Sequence, residues 1–285
     1  MVNFNSEIIE DDVLFLNQEN RGLRYGDALF ETIRLVNDEV LLWEEHYLRL
    51  MASMRIIRME IPMEFTLEYL EEQIKKLAVQ NKCSDQARVR LTVYRNSGGL
   101  YLPKTNTVSF VIETSPLDAP YYILNTEKYE VELFKDFYVN ADMLSNLKTN
   151  NRILNVVGSV FAKENDYDNC LLLNGSKNVV EGLNGNVFLV KGSVIKTPPL
   201  QDGCINGIIR KQLIGILKKL EGYTLEETSI STFELQKADE LFFTNCIQGI
   251  KPITKYRKKQ YTSVVAQELL GKLNAVIRLQ KRDLV

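Results

Sequence analysis

The stretch Asn178-Val-Val-Glu-Gly-Leu-Asn-Gly-Asn-Val-Phe-Leu-Val-Lys-Gly-Ser-Val-Ile-Lys-Thr197 decides the fold class. Asn186–Val190 and Val194–Thr197 are rich in β-branched and apolar residues. Lys191-Gly-Ser193 between them is a turn, so the pair reads as a hairpin. Just before it, Glu181 ends another apolar run at a turn rich in Gly and Asn. Just after it, Gly207–Leu220 changes to helical spacing, and Glu240–Thr244 returns to a strand. Further upstream in the same half, strands are expected around Tyr121–Leu133 and at Cys170–Leu173. Helices are expected over Ile153–Asn165 and, at the end, Ser263–Arg282. Strands and helices mix without strict β-α-β alternation, which predicts an α/β protein of mixed α+β character.

The first half reads in the same way. Strand-like runs cover Asn3–Ile9 and Asp27–Val36, and Asn37-Asp38-Glu39 is a tight-turn signal before Val40–Trp43. Glu44–Met59 and Phe65–Val79 carry apolar residues near helical spacing. Ala87–Arg95 and Thr107–Glu113 read as strands. Ser115-Pro-Leu-Asp-Ala-Pro120 has two prolines and no periodicity, so it reads as a linker. The expected organisation is one domain over 1–114, a linker over 115–120 and a second domain over 121–285.

Composition narrows the function classes. The chain has 285 residues with 35 Lys+Arg against 37 Asp+Glu, a net charge of −2. A nucleic-acid binder normally carries a basic excess, so none is expected as a partner. Hydrophobic residues make up 45%, ordinary for a globular protein. No run approaches the roughly 18 apolar residues a membrane helix needs, so no membrane partner is expected. Met1–Asp12 is acidic and shows no basic-then-apolar leader, which predicts a cytoplasmic protein. Cys83, Cys170, Cys204 and Cys246 are far apart and read as reduced thiols. His46 is the only histidine, so a multi-histidine metal site is excluded and no metal is expected. Its bland meaning is a histidine that packs or caps.

Five places have residues suited to chemistry. Lys148 lies among amides and hydroxyls in Asn140–Arg152 and is a Schiff-base candidate if burial lowers its pKa. Alone, a solvated lysine is the commoner meaning. Glu181, on a strand end beside glycines, could face a cationic ring nitrogen. Its bland meaning is an acid that opens a hairpin turn. In Gln201–Gln212, Asn206 is an N-cap candidate with Gly207 opening the helix, and helix-start amides bind phosphate. In Phe243–Ile253, a strand breaks into a polar, Gly-containing turn whose amides could grip the same anion. Arg49, three residues after His46, could fork onto phosphate or serve as a surface ion-pair partner.

In their joint order these residues resemble the class IV, or fold type IV, pyridoxal-phosphate aminotransferase family. It includes branched-chain and D-amino-acid aminotransferases and 4-amino-4-deoxychorismate lyases. The matching motifs are Arg21-Gly-Leu-Arg-Tyr-Gly-Asp-Ala-Leu-Phe-Glu-Thr-Ile-Arg34, Glu45-His-Tyr-Leu-Arg-Leu50, Leu147-Lys-Thr-Asn-Asn-Arg152, Val180-Glu-Gly182 with Asn186-Val-Phe188, Thr197-Pro-Pro199 and Asn206-Gly-Ile-Ile-Arg210. With the polar turn they run from about Arg21 to Ile253.

The resemblance implies a small N-terminal α/β domain and a larger C-terminal domain with a barrel-like sheet. It implies pyridoxal 5'-phosphate as cofactor and a homodimer. Lys148 matches the lysine that carries the cofactor as an aldimine and shuttles the proton. Glu181 matches the acid on the pyridine nitrogen, and Arg49 the phosphate-binding arginine. Ile208 and Ile209 match the helix-start amides on that phosphate, and Cys246 and Ile247 the turn residues. The family often has Ser or Thr at these last two positions. Phe30 and Arg34 match wall positions near the substrate.

Within the family the motifs point in different directions. Branched-chain enzymes usually show Gly where Thr32 stands, and a Gly-Thr-Ala turn where Thr244-Asn-Cys246 stands. D-amino-acid enzymes carry an Arg-x-His pair, and Tyr94–Pro103 has no histidine. The lyases usually have an arginine where Leu100 stands. The leading expectation is a transaminase acting on an amino acid and a 2-oxo acid. The alternative is a lyase that takes aminodeoxychorismate to pyruvate and 4-aminobenzoate, and an inert cofactor-binding homologue comes third.

Overall fold

The structure, a computed structural model, describes residues 1–280. The last two residues of the expected final helix, 281 and 282, lie outside them. Two compact units emerge from the backbone contacts. One is Met1–Tyr121 together with Lys148–Asn151, and the other is Tyr122–Leu147 with Arg152 onward.

The first unit contains β1 (Val2–Phe4), β2 (Glu7–Ile9), α1 (Arg21–Tyr25), β3 (Ala28–Val36), β4 (Glu39–Val40), α2 (Trp43–Ile56), α3 (Leu67–Gln80), β5 (Gln86–Arg95) and β6 (Val108–Pro116). The strands form a 6-stranded antiparallel sheet in the order β2-β1-β6-β5-β3-β4. Alternation along β5 buries Ala87, Val89, Leu91 and Val93, which form the core with Leu70, Ile74 and Leu77 of α3. The Asn3–Ile9 run is a hairpin and not one strand. Asn5 and Ser6 take φ of 49° and 74°, the positive values a two-residue hairpin turn requires. Asn37 and Asp38 make the expected turn in the same way. The expected second arm shrinks to Glu39–Val40 because Trp43 starts α2. That helix stops at Ile56, short of Met59, and Arg58 turns at φ 59°. β6 runs into the expected linker as far as Pro116, which pairs with Ala87 at the strand's last position, where no N–H is demanded.

The second unit contains β7 (Glu130–Val139), α4 (Ile153–Glu164), β8 (Asn169–Asn174), β9 (Asn178–Gly182), β10 (Asn186–Lys191), β11 (Val194–Thr197), a 3-10 turn (Leu200–Asp202) and α5 (Ile208–Leu217). It continues with β12 (Thr224–Glu227), β13 (Ile230–Ser231), α6 (Thr232–Lys237), β14 (Glu240–Asn245), β15 (Gly249–Ile253), β16 (Lys255–Tyr256), β17 (Lys259–Gln260) and α7 (Val264–Gln280). Its 11-stranded mixed sheet follows β12-β11-β10-β9-β8-β7-β16-β17 and branches at β10, which also pairs with β14. Strands far apart in that order share one core: Val131, Leu171, Val187, Leu241, Phe243 and Tyr256 pack in a single cluster. Only a strongly curled sheet brings those faces together, which is the barrel-like shape expected. α4 covers another face, against Phe134 and Leu172.

Two expectations change here. The strand expected from Tyr121 starts only at Glu130, because the backbone of Tyr122 is satisfied by a side chain. Tyr122 N donates to Asn274 Oδ1 at 3.3 Å, and Asn274 Nδ2 donates to Tyr122 O at 2.9 Å. The segment read as a polar turn before Ile253 contains a full strand, β15. Among the described residues it pairs only with β14, so Pro252 sits on an edge where a missing N–H is tolerated.

Candidate active site

Lys148 is held by backbone bonds to β3. Phe30 N donates to Lys148 O at 2.9 Å, Asn150 N donates to Ala28 O at 2.9 Å, and Leu29 bridges Thr149 antiparallel. The segment thus adds to the sheet edge, which is why four residues of the second half cluster with the first unit. Asn151 Nδ2 donates to Gly26 O at 3.2 Å. Gly26 turns at φ 64°, and a Cβ there would lie 2.3 Å from Asn151 Oδ1, so the contact requires glycine. The Lys148 side chain is half-buried, with Nζ 4.4 Å from the centre of the Phe30 ring.

Arg90, which sequence reasoning passed over, places its guanidinium 3.9 Å from the same ring centre and donates to Asn150 Oδ1 at 3.3 Å. Burial lowers its pKa, and Glu113 works against that shift. The cross-strand pairs Thr32–Arg90 and Arg34–Arg88 put these residues on the face of β3 that carries Phe30 and Arg34. Arg34 is buried and donates from Nη2 to Ala119 O.

Arg49 is tied to Glu31, on the opposite face of β3. Nε donates to Oε1 at 2.8 Å, and Nη2 donates to Oε2. His46 Nδ1 lies 2.7 Å from Oε2. Burial alone would raise the Glu31 carboxyl, but the Arg49 charge and the His46 hydrogen bond outweigh it and hold the carboxyl at about 2. The single histidine is buried, as the bland reading required, yet it has a specific polar partner. A charged residue inside the apolar run Ala28–Val36 was the sequence signal for Glu31.

In the second unit, Glu181 is buried at the end of β9. Ile205 N donates to its Oε2 at 2.9 Å. Asn186, its cross-strand partner, contacts the same oxygen at 3.5 Å and donates to Ile205 O at 2.8 Å. One amide therefore ties the carboxylate to the loop that leads into α5. Asn186 belongs to the motif Asn186-Val-Phe188, but the sequence assigned it no role. Burial, with the charge of Glu181 next in importance, pushes the Cys204 thiol up to about 12. The N-cap of α5 is Gly207, not Asn206; Asn206 N is drawn instead to Asn146 O at 3.2 Å.

The residues fit pyridoxal phosphate. Gly207 offers no side-chain cap, the first turn holds no acid, and the amides of Ile208, Ile209 and Arg210 have no acceptor within the helix. Thr244 Oγ1, opposite Asn186 on β14, is buried with no hydrogen-bond partner among the described residues. The β14–β15 turn is built by Asn245, whose Oδ1 accepts from Ile247 N at 3.0 Å and Gln248 N at 2.8 Å. The Ile247 amide is therefore engaged within the turn. Tyr122 Oη donates to Cys246 O at 2.8 Å. A buried carboxylate and uncapped helix amides together suit a cationic heterocycle with a phosphate tail.

The family model for amino-transferase class IV matches residues 28–256. This chain belongs to the class IV aminotransferases. As a class IV aminotransferase it is a pyridoxal-phosphate-dependent transaminase. It is 28% identical over 270 residues to a putative branched-chain-amino-acid aminotransferase of Methanocaldococcus jannaschii, covering 94% of this chain and 92% of that one. It is 28% identical over 255 residues to a D-alanine aminotransferase of Listeria monocytogenes, covering 88% and 85%. The crystal structure of a branched-chain aminotransferase from Thermoproteus uzoniensis with norvaline superposes with a TM-score of 0.87 at 26% identity, over 97% of this chain and 94% of that one.

Proposed function

We propose that this class IV aminotransferase exchanges the amino group of an amino acid with a 2-oxo acid, using Lys148 as its catalytic amine. The anchoring of Lys148 on β3, half-buried and over Phe30, is the observation that carries the reading. The Arg90 cation lies on the same ring as Nζ, and the neutral amine is the form that attacks a carbonyl and accepts a proton. Bound pyridoxal phosphate supplies the electron sink that acidifies the Cα–H of the amino acid. Glu181 holds a proton on the ring nitrogen by its charge, with Asn186 fixing the carboxylate. The phosphate is taken by Arg49, by the amides of Ile208 and Ile209, and by the turn at Cys246 and Ile247. Phe30 and Arg34 line the substrate.

The proposal includes a homodimer in the cytoplasm. The exposure of Leu100, Tyr101 and Leu102 at 75%, 89% and 85% supports a covered surface in solution. No helix among the described residues is long and apolar enough to cross a membrane.

A screen of amino donors against 2-oxo acids, with aminodeoxychorismate included, tests the reaction. Amino-group exchange between at least one pair is expected, with little pyruvate from aminodeoxychorismate. Abundant pyruvate and 4-aminobenzoate without exchange would replace the transaminase with the lyase.

A further inference from the structure

Buried ion pairs rarely add net stability, because desolvation of both charges offsets their attraction. The Glu31–Arg49 pair therefore calls for another reason to exist. Glu31 is 1% exposed and His46 1%. The carboxylate spans the Nε–Nη2 edge of the guanidinium, so the fork geometry sets both the direction and the rotation of that plane. An ionised carboxylate only accepts, so the hydrogen between it and His46 sits on Nδ1. His46 and Arg49 are three residues apart on α2, one turn of one rigid element, while Glu31 is on β3. Helix and strand thus fix the guanidinium from two sides.

We propose that Glu31 and His46 are positioning residues: Glu31 orients the guanidinium of Arg49 toward the cofactor phosphate, and His46 holds Glu31 in place. This rests on the reading of Arg49 as the phosphate residue. An unrestrained arginine loses substantial rotamer freedom when it binds; one locked beforehand has already lost it. The charge of Glu31 works against a phosphate dianion, so the gain lies in direction and not in net positive charge. A lysine, which has no planar edge for the carboxylate to span, cannot replace Arg49 in this arrangement.

The test strips the holoenzyme of cofactor and measures the affinity of the full chain for pyridoxal phosphate and for pyridoxal, which lacks the phosphate. Arg49→Gln is expected to weaken pyridoxal phosphate roughly 10- to 100-fold and pyridoxal hardly at all. Glu31→Gln and His46→Ala are expected to weaken pyridoxal phosphate about 10-fold, again with pyridoxal unchanged. His46→Asn, which keeps a donor for Glu31, should recover most of that loss, and Arg49→Lys should behave like Arg49→Gln. The pyridoxal affinity also shows that each variant is folded. If Arg49→Gln weakens both ligands alike, the phosphate role of Arg49 fails. If Arg49→Gln is selective but Glu31→Gln and His46→Ala bind pyridoxal phosphate like the parent, or lose both ligands equally, the positioning role is overturned and the reading of Arg49 survives. Should Glu31→Gln not fold, the His46→Ala and His46→Asn pair decides with the carboxylate intact.

Discussion

Replacing Gly207 by alanine probes how closely the carboxylate site and the α5 start are joined. The backbone of Gly207, at φ −72° and ψ 140°, suits any residue, so the conformational cost is small. Space is the obstacle. A Cβ would fall 2.0 Å from Asn186 Oδ1 and 3.2 Å from its Cγ. Asn186 is 4% exposed and cannot swing into solvent. To reach ordinary contact its amide must move by more than about 1 Å, which breaks the 2.8 Å bond to Ile205 O and removes the 3.5 Å contact with Glu181. One lost hydrogen bond and a buried amide left short of partners cost about 1–3 kcal/mol together. At ~2–4 °C per kcal/mol, Tm should fall by about 2–12 °C. Urea unfolding of the parent, Gly207→Ala, Asn186→Ala and the double variant measures it. With the asparagine truncated, the alanine at 207 has room, so the double variant should be no less stable than Asn186→Ala, a coupling of about 1–3 kcal/mol. A Gly207→Ala protein as stable as its parent, or a cost that persists when Asn186 is truncated, would refute the reasoning.

Lys148→Ala should yield a folded, colourless protein beside a yellow parent, and borohydride should fix the cofactor covalently to the parent alone; a yellow, borohydride-reactive variant would move the catalytic amine elsewhere. Glu31 is held at about 2 against an ordinary 4.5, so the stability it contributes is fully present above pH 4.5 and drains away as pH falls toward 2. The urea midpoint of the parent should therefore drop more steeply between pH 4.5 and 3 than that of Glu31→Gln, and parallel curves would contradict the shift. Gly182→Ala would push a Cβ to 2.6 Å from the ring of Phe243, which is 1% exposed, and overpacking of this kind costs about 1–3 kcal/mol, readable as a lowered urea midpoint.

Legibility from sequence followed the range of the interactions. The β10–β11 hairpin, the alternation of Val89, Leu91 and Val93, and helix α4 are patterns of neighbours in the chain, and each was read from its own residues. The Asn3–Ile9 hairpin was missed because its turn relies on positive φ at Asn and Ser, with no glycine to announce it. β15 was missed because Gly249 and Pro252 both signal a break, and an edge position cancels the meaning of the proline. Lys148, Glu181 and the α5 start became candidates from motif order, since the proposed chemistry calls for an amine, an acid and helix amides. Their supporting residues did not. Asn186 matters because β9 and β10 pair across the Leu183-Asn-Gly185 turn, and Arg90 because β5 lies beside β3.

The chain by itself determined the family and the mixed α/β character, because each depends on residue type and spacing along the backbone. Tertiary structure alone decided that a four-residue segment around Lys148 joins the edge of β3, that the only histidine and an arginine share one buried glutamate, and that an asparagine ties Glu181 to a helix start. Those facts are contacts between residues 5 to about 120 positions apart. Their energies depend on distance and burial, and neither quantity exists until the chain has folded.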